Sequence, residues 1–171
     1  ADRPASSSTS REAGALISAR SRWQDEPHDR PSFTPSQLRA LAPAGRLSGD
    51  ASGLVVFTQE GGVARRLTSR HARLEHEYHL RVDGLLASDG LEDLRQGLML
   101  DGHRQEPVQT SWLSDRQLRF VTRAGRSQPI RQMLAQIGLH VTEIKRVRIG
   151  GVSLGRLPPG QWRYLRPDER F

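Results

Sequence analysis

"LRFVTRAGRSQPIRQMLAQIGLHVTEIKRVRIG", residues 118–150, changes its hydrophobic period twice. Residues 117–122 are rich in β-branched and aromatic side chains and predict a strand. Ser127 then caps a helix with Pro129 in its first turn, where a missing N–H costs nothing. Ile130, Met133, Leu134 and Ile137 recur at i, i+3, i+4 and i+7, forming one apolar stripe, and Gly138 closes the helix. Residues 141–149 return to β-forming composition. A short amphipathic helix between two strands must lay its stripe on a sheet, which points to an α+β domain.

Working outward, residues 108–113 predict a further strand joined to 117–122 by a turn at Ser114-Asp115. Residues 76–82 (HEYHLRV) alternate, with Tyr78, Leu80 and Val82 on one face and Glu77, His79 and Arg81 on the other. Residues 54–58 (LVVFT) form a continuous apolar run suited to a strand buried on both faces. Helices are expected over 61–67 and over 91–98, the latter capped by Ser88 or Asp89, and closing strands over 152–154 and 162–165. Thr34-Pro35-Ser36-Gln37 is a capping box opening a short helix toward Leu41, after a proline-broken stretch at 26–33. The Ser/Ala-rich start has no periodicity, so residues 1–20 read as a flexible or irregular lead-in and 21–171 as one strand-dominated domain. No internal repeat is present.

Charge narrows the partner class. The chain is +7 overall, and 25 of its 26 basic residues are arginine, with Lys145 the single lysine. Residues 116–166 hold eleven basic side chains and one acid, Glu143. Such an arginine-rich half reads as a footprint for a polyanion, and the commonest polyanion is a phosphate backbone. The absence of cysteine excludes a disulfide scaffold and thiolate zinc sites. No apolar run approaches the ~20 residues that span a bilayer.

Most familiar catalytic patterns are missing. Neither GxxxxGK[ST] nor GxGxxG occurs. Ser48 and Ser52 lack the G-x-S-x-G spacing of a nucleophile elbow, which argues against a serine hydrolase. His76 and His79 fall on opposite strand faces, so they suit solvent or RNA better than a metal. Arg131 lies beside the apolar stripe in the first helical turn, where free N–H groups favour anions, and Arg126 adds to that field; an ordinary solvated arginine is the alternative. Tyr78 reads equally as a core tyrosine. The loop "GRLSGDASGL", 45–54, sits just before an apolar run, so Ser48 and Asp50 belong either to a site or to a turn.

Three stretches, "LAPAGRLSGDASGLVVFTQEG" (41–61), "LEHEYHLRVDG" (74–84) and 118–165, occur together in an order and spacing that resembles the bacterial ribosomal RNA pseudouridine synthases, specifically the large-subunit branch. The resemblance runs from about Ser21 onward. It implies an α+β domain on a mixed, largely antiparallel sheet with flanking short helices and a central RNA-binding cleft. The implied reaction isomerises uridine in a flipped-out nucleotide, without metal or organic cofactor.

By that resemblance Tyr78 is the tyrosine that assists at C5, and Arg131 is the arginine that pairs with the family's essential aspartate, with Ile130 packed beside it. The aspartate position is Ser48, preceded by the motif residues Arg46 and Leu47. A hydroxyl needs a neighbouring base to match a carboxylate, and Arg131 would lose its charge partner with the same replacement. Asp50 lies where relatives also tend to carry an acid, and reads as a turn-shaping side chain. His76 stands where the family has lysine, and Gln128-Pro129-Ile130-Arg131-Gln132 replaces R-Q-[I/V]-R-R. A Leu-Asn-Lys-Pro strand and a small N-terminal RNA-binding domain, common in the branch, are expected to be missing.

The resemblance thus implies a catalytically impaired relative that keeps RNA contacts through Arg46, Leu47, Asp50, Arg126, Ile130, Lys145, Arg146 and Arg148. Three functions stand side by side. They are an rRNA isomerase, a non-catalytic RNA-binding component of the ribosome or its assembly, and a basic adaptor for acidic proteins. The expected partner is rRNA, with ribosomal or assembly proteins beside it. The expected compartment is the bacterial cytoplasm, or alternatively an organellar matrix.

Overall fold

Strand β4 (His76–Gly84) organises the chain. Its alternation buries His76, Tyr78, Leu80 and Val82 on one face. It pairs antiparallel with β8 (Gln117–Thr122) on one side and with β9 (Leu139–Ile149) on the other. The computed structural model describes residues 17–24, 34, 36, 41–45, 47, 50–69, 74–123 and 129–171. Around β4 the sheet runs β10 (Val152–Ser153), β9, β4, β8, β7 (Gln109–Ser114), all antiparallel neighbours. A sixth strand, β2 (Ala51–Gly53), joins β9 in parallel, so the sheet is mixed but largely antiparallel, as the sequence predicts. Two small ladders lie outside it: β1 (Ala42–Ala44) with β3 (Val56–Thr58), and β5 (Met99–Leu100) with β6 (His103–Arg104).

Three short helices flank the sheet: α1 (Gly61–Thr68), α2 (Gly90–Gln96) and α3 (Ile130–Gln136). The stripe of α3 packs Ile130, Met133, Leu134 and Ile137 against Tyr78, Leu80, Leu118, Phe120, Val141 and Ile144. Met133, Leu134, Leu80, Leu118 and Phe120 are fully enclosed, each burial contributing about 1.5–3 kcal/mol before chain entropy is charged against it. A second cluster joins Ala44, Leu54, Val56 and Leu67 to Ile149 and Val152, fixing α1 and the small ladder to the end of β9. Gly138 ends α3 with φ +87°, and a Cβ there would meet the Leu85 carbonyl oxygen at 2.2 Å, so only glycine fits.

Several expectations change. The 54–58 run is not one strand: Gly53, at φ +107°, ends β2 against β9, and β3 begins only at Val56, in a different ladder. Residues 162–165 form no strand; a single parallel bridge joins Trp162 to Arg22. There Trp162 Nε1 donates to the Ser18 carbonyl at 2.7 Å, so residues 18–22 dock on the C-terminal segment. His76 is buried instead of solvent- or RNA-facing, because it shares the inward face of Tyr78. Most of the expected helix at 34–41 (residues 35 and 37–40), the cap at Ser127 and His71 lie outside the described residues, as do residues 1–16.

Candidate functional site

Arg146 holds the two feet of the 45–54 loop. The β4–β9 register sets Arg146 opposite Tyr78, and the β2–β9 register sets it opposite Gly53. Its side chain points inward, with the residue only 1% exposed. Nε and Nη2 donate to the Leu54 carbonyl at 2.9 and 2.7 Å, and Nη2 also donates to the Gly45 carbonyl at 3.0 Å. Leu54 N–H returns a bond to the Arg146 carbonyl at 2.8 Å. A Cβ on residue 53 would lie 2.2 Å from that same oxygen, so the approach depends on glycine. Tyr78 lies across the β4–β9 register from this guanidinium, near enough for their charges to act on each other.

Arg131 holds the middle of the loop. Its Nε donates to Asp50 Oδ2 and its Nη1 to the Val141 carbonyl. The two side chains are 39% and 47% exposed, so solvent and ligands reach the pair. Ile130 turns the other way, into the core beside Tyr78, and Leu47 is half-buried. Ser52 Oγ donates to the Ile144 carbonyl at 3.3 Å, which ties β2 to β9. Arg46, Ser48 and Arg126 lie outside the described residues.

Burial sets the protonation of this pocket. It pushes the Tyr78 phenol above its ordinary value, against the opposing charge and hydrogen bond of Arg146. It also lowers the Arg146 guanidinium, with Tyr78 acting in the opposite sense. His76 is lowered to about 4, first by burial and then by the charges of Arg146 and Arg148, so it is a neutral imidazole at pH 7. Where the resembling family carries a lysine cation, this chain carries an uncharged ring.

The basic half is largely compensated. Arg119 pairs with Glu77 through two bonds of 2.9 Å, and Arg148 reaches both Glu77 at 3.0 Å and Glu75 at 3.2 Å. Arg123 pairs with Glu75, Arg116 with Asp83, Arg131 with Asp50, and Arg163 and Arg166 with Glu169. Arg146, expected among the RNA contacts, is buried on carbonyls instead, because its strand position faces inward. Lys145 is exposed on β9. Sequence reasoning missed the acids at 75, 77 and 83 as partners, since only the β4–β8–β9 register brings them to those arginines. It also expected Arg131 to lack a charge partner, and Asp50 supplies one. Among the described residues no three His, Asp or Glu side chains gather as a metal would require, and no helix is long and apolar enough to cross a membrane.

A solved pseudouridylate synthase superposes with a TM-score of 0.71 at 28% identity, covering 78% of this chain and 60% of the other. The fold is that of the pseudouridine synthases. In sequence, the chain is 33% identical over 132 residues to ribosomal small subunit pseudouridine synthase A of Escherichia coli, covering 75% of this chain and 57% of the relative. It is 30% identical over 151 residues to ribosomal large subunit pseudouridine synthase E of Vibrio parahaemolyticus, covering 75% and 61%. An uncharacterized RNA pseudouridine synthase of Aquifex aeolicus is 32% identical, covering 77% and 55%. No family model matches. The chain therefore spans a little under two thirds of the relatives it matches. The chain belongs to the pseudouridine synthase family.

Proposed function

We propose that this chain binds ribosomal RNA through a pseudouridine synthase site whose isomerase chemistry is impaired by Ser48. The observation that carries the reading is the Arg131–Asp50 pair. In the resembling family the equivalent arginine is expected to meet the carboxylate at position 48. Here it meets the carboxylate two residues further on, and position 48 offers only a hydroxyl. Asp50 neutralises the Arg131 guanidinium, which lets the loop keep its place without the family's aspartate.

Uridine isomerisation breaks the N1–C1′ bond, turns the base and joins C5 to C1′; C5 gives up its proton and N1 takes one up, so product and substrate have the same composition. The ribose end of that sequence needs an ionised group as nucleophile or base. A serine hydroxyl is not ionised at neutral pH unless a base sits beside it. His76 is a neutral imidazole on the buried inward face of β4. Tyr78 and Arg131 would then hold the flipped base and its backbone without completing the exchange.

The substrate class is rRNA, and large-subunit rRNA is the branch suggested by the motifs. The protein acts beside the ribosome, in a bacterial cytoplasm or an organellar matrix. A ribosome-assembly component that uses the fold only to bind is the second reading, and the same serine favours it. Incubation of the purified chain with rRNA, followed by nucleoside mass spectrometry, is expected to give RNA binding and no pseudouridine. Turnover that disappears in Ser48→Ala would overturn the impaired reading.

A further inference from the structure

We propose that the tip of the β7–β8 hairpin is a nucleobase site, in which Trp112 stacks a base of single-stranded RNA and Asp115 selects guanine. The inference rests on the reading of this chain as an RNA binder and lies outside the 45–54 loop. A hollow of about 490 Å³, within the roughly 300–1,000 Å³ usual for small-molecule sites, is lined by Trp112, Leu113, Ser114 and Asp115. It stands at the end of the sheet, two strands from β4, or about 10 Å at the usual ~4.8 Å strand spacing.

The hollow sits on a β-bulge. Trp112 pairs with Leu118 and Ser114 with Gln117, so Leu113 is the extra residue. Bulges re-aim side chains and recur beside functional sites. Here two large apolar side chains reach solvent side by side, Trp112 being 41% and Leu113 45% exposed. The Trp112 indole N–H is also unspent: nothing among the described residues accepts from it, whereas Trp162 Nε1 donates to the Ser18 carbonyl. An open ring face with a spare donor suits a flat heterocycle.

Asp115 is an independent observation. The acids of the neighbouring strands are held by arginine: Glu75 by Arg123 and Arg148, Glu77 by Arg119 and Arg148, Asp83 by Arg116, and Glu143 by Arg81. Asp115 has no such partner among the described residues and makes no bond to the backbone of its own turn. A free carboxylate accepts best from two adjacent N–H donors. Guanine alone among the RNA bases offers that pair, N1–H and N2–H, on its Watson–Crick edge. Stacking on an indole is indifferent to the base, so the ring supplies affinity and the carboxylate supplies choice. A peptide arginine would also suit a ring and a carboxylate, but the net charge of +7 disfavours a basic partner.

The test is fluorescence anisotropy of labelled heptanucleotides on the full chain: UUUGUUU, and the same oligonucleotide with A, C or U at its centre. The guanosine heptamer is expected to bind at least ~10-fold tighter than the other three. Asp115→Asn is expected to erase that preference, Trp112→Ala to weaken the guanosine heptamer by ~10-fold, and Trp112→Phe to keep it. If Trp112→Ala does not fold, Asp115→Asn decides. The indole N–H signal that disappears from the NMR spectrum in Trp112→Phe should shift on adding UUUGUUU; a shift with an arginine peptide and none with the heptamer overturns the proposal. Equal affinity for all four heptamers, or a preference that survives in a folded Asp115→Asn protein, also overturns it. A long rRNA fragment measured alongside separates the two readings: if it binds while the heptamers show no preference, the guanine site falls and the rRNA reading stands.

Discussion

Arg131 at the start of α3 and Asp50 in the 45–54 loop, 81 residues apart in sequence, form an ion pair at the edge of the candidate site. The pair is partly solvated, so its own contribution to stability is about 0–1 kcal/mol. In the proposed reading its effect on ligands is larger, because Asp50 there occupies the cation assigned to an RNA phosphate. Asp50→Asn should tighten binding of an rRNA fragment several-fold with little change in melting temperature, and Arg131→Ala should weaken it. Fluorescence anisotropy measures both, and unchanged affinity in both variants would remove Arg131 from the RNA contact.

His76 gives the fold an acid sensitivity of known sign. Its pKa is lowered from 6.5 to about 4 by burial and by Arg146 and Arg148. The unfolded chain binds a proton below about 6.5 that the folded chain refuses until about 4. Stability from this group is complete above pH 6.5 and falls as pH drops toward 4, by about 3 kcal/mol at most. Denaturant titrations at pH 7 and pH 5 should show that loss, and His76→Gln should flatten it.

The C-terminal segment depends on one buried ion pair. Arg163 and Glu169, with side chains 9% and 3% exposed, make two bonds of 2.6 and 2.7 Å. Burial alone would raise the Glu169 carboxyl, but bonds from Arg163 and from Arg166 N–H outweigh it and hold it below the usual carboxylate value. Its stabilisation is therefore present at neutral pH and lost as pH falls below the carboxylate range. Glu169→Ala strands the Arg163 charge and should cost about 3–5 kcal/mol, visible as a melting temperature lower by roughly 10 °C.

Salt dependence separates cations that meet RNA from those already paired. Eleven phosphate contacts to a single strand would give a log–log slope of about −8. Arg116, Arg119, Arg123, Arg148, Arg163 and Arg166 are engaged by acids of this chain, and Arg146 is buried. The measured slope should be clearly shallower. A slope near −8 would mean that RNA breaks those pairs.

The elements were legible wherever one period dominated. The stripe from Ile130 to Ile137 and the alternation from His76 to Val82 predict α3 and β4 because each face is set by local spacing. The 54–58 run misled, since an apolar run does not reveal that Gly53 turns the chain from one ladder to another. Site partners were the least legible. Arg146 looked like a surface cation, and only the pairing of β9 with β4 and β2 shows that it faces Tyr78 and the loop feet. The charge of residues 116–166 likewise suggested a bare basic surface until the register brought Glu75 and Glu77 against it.

The central claim is that position 48 decides whether this site isomerises uridine. The direct measurement compares pseudouridine formed in rRNA by the unaltered chain, by Ser48→Asp and by Ser48→Ala, quantified by nucleoside mass spectrometry at equal RNA occupancy. The account expects no pseudouridine from the unaltered chain or from Ser48→Ala, and pseudouridine above background from Ser48→Asp. Pseudouridine from the unaltered chain, abolished in Ser48→Ala, would contradict it.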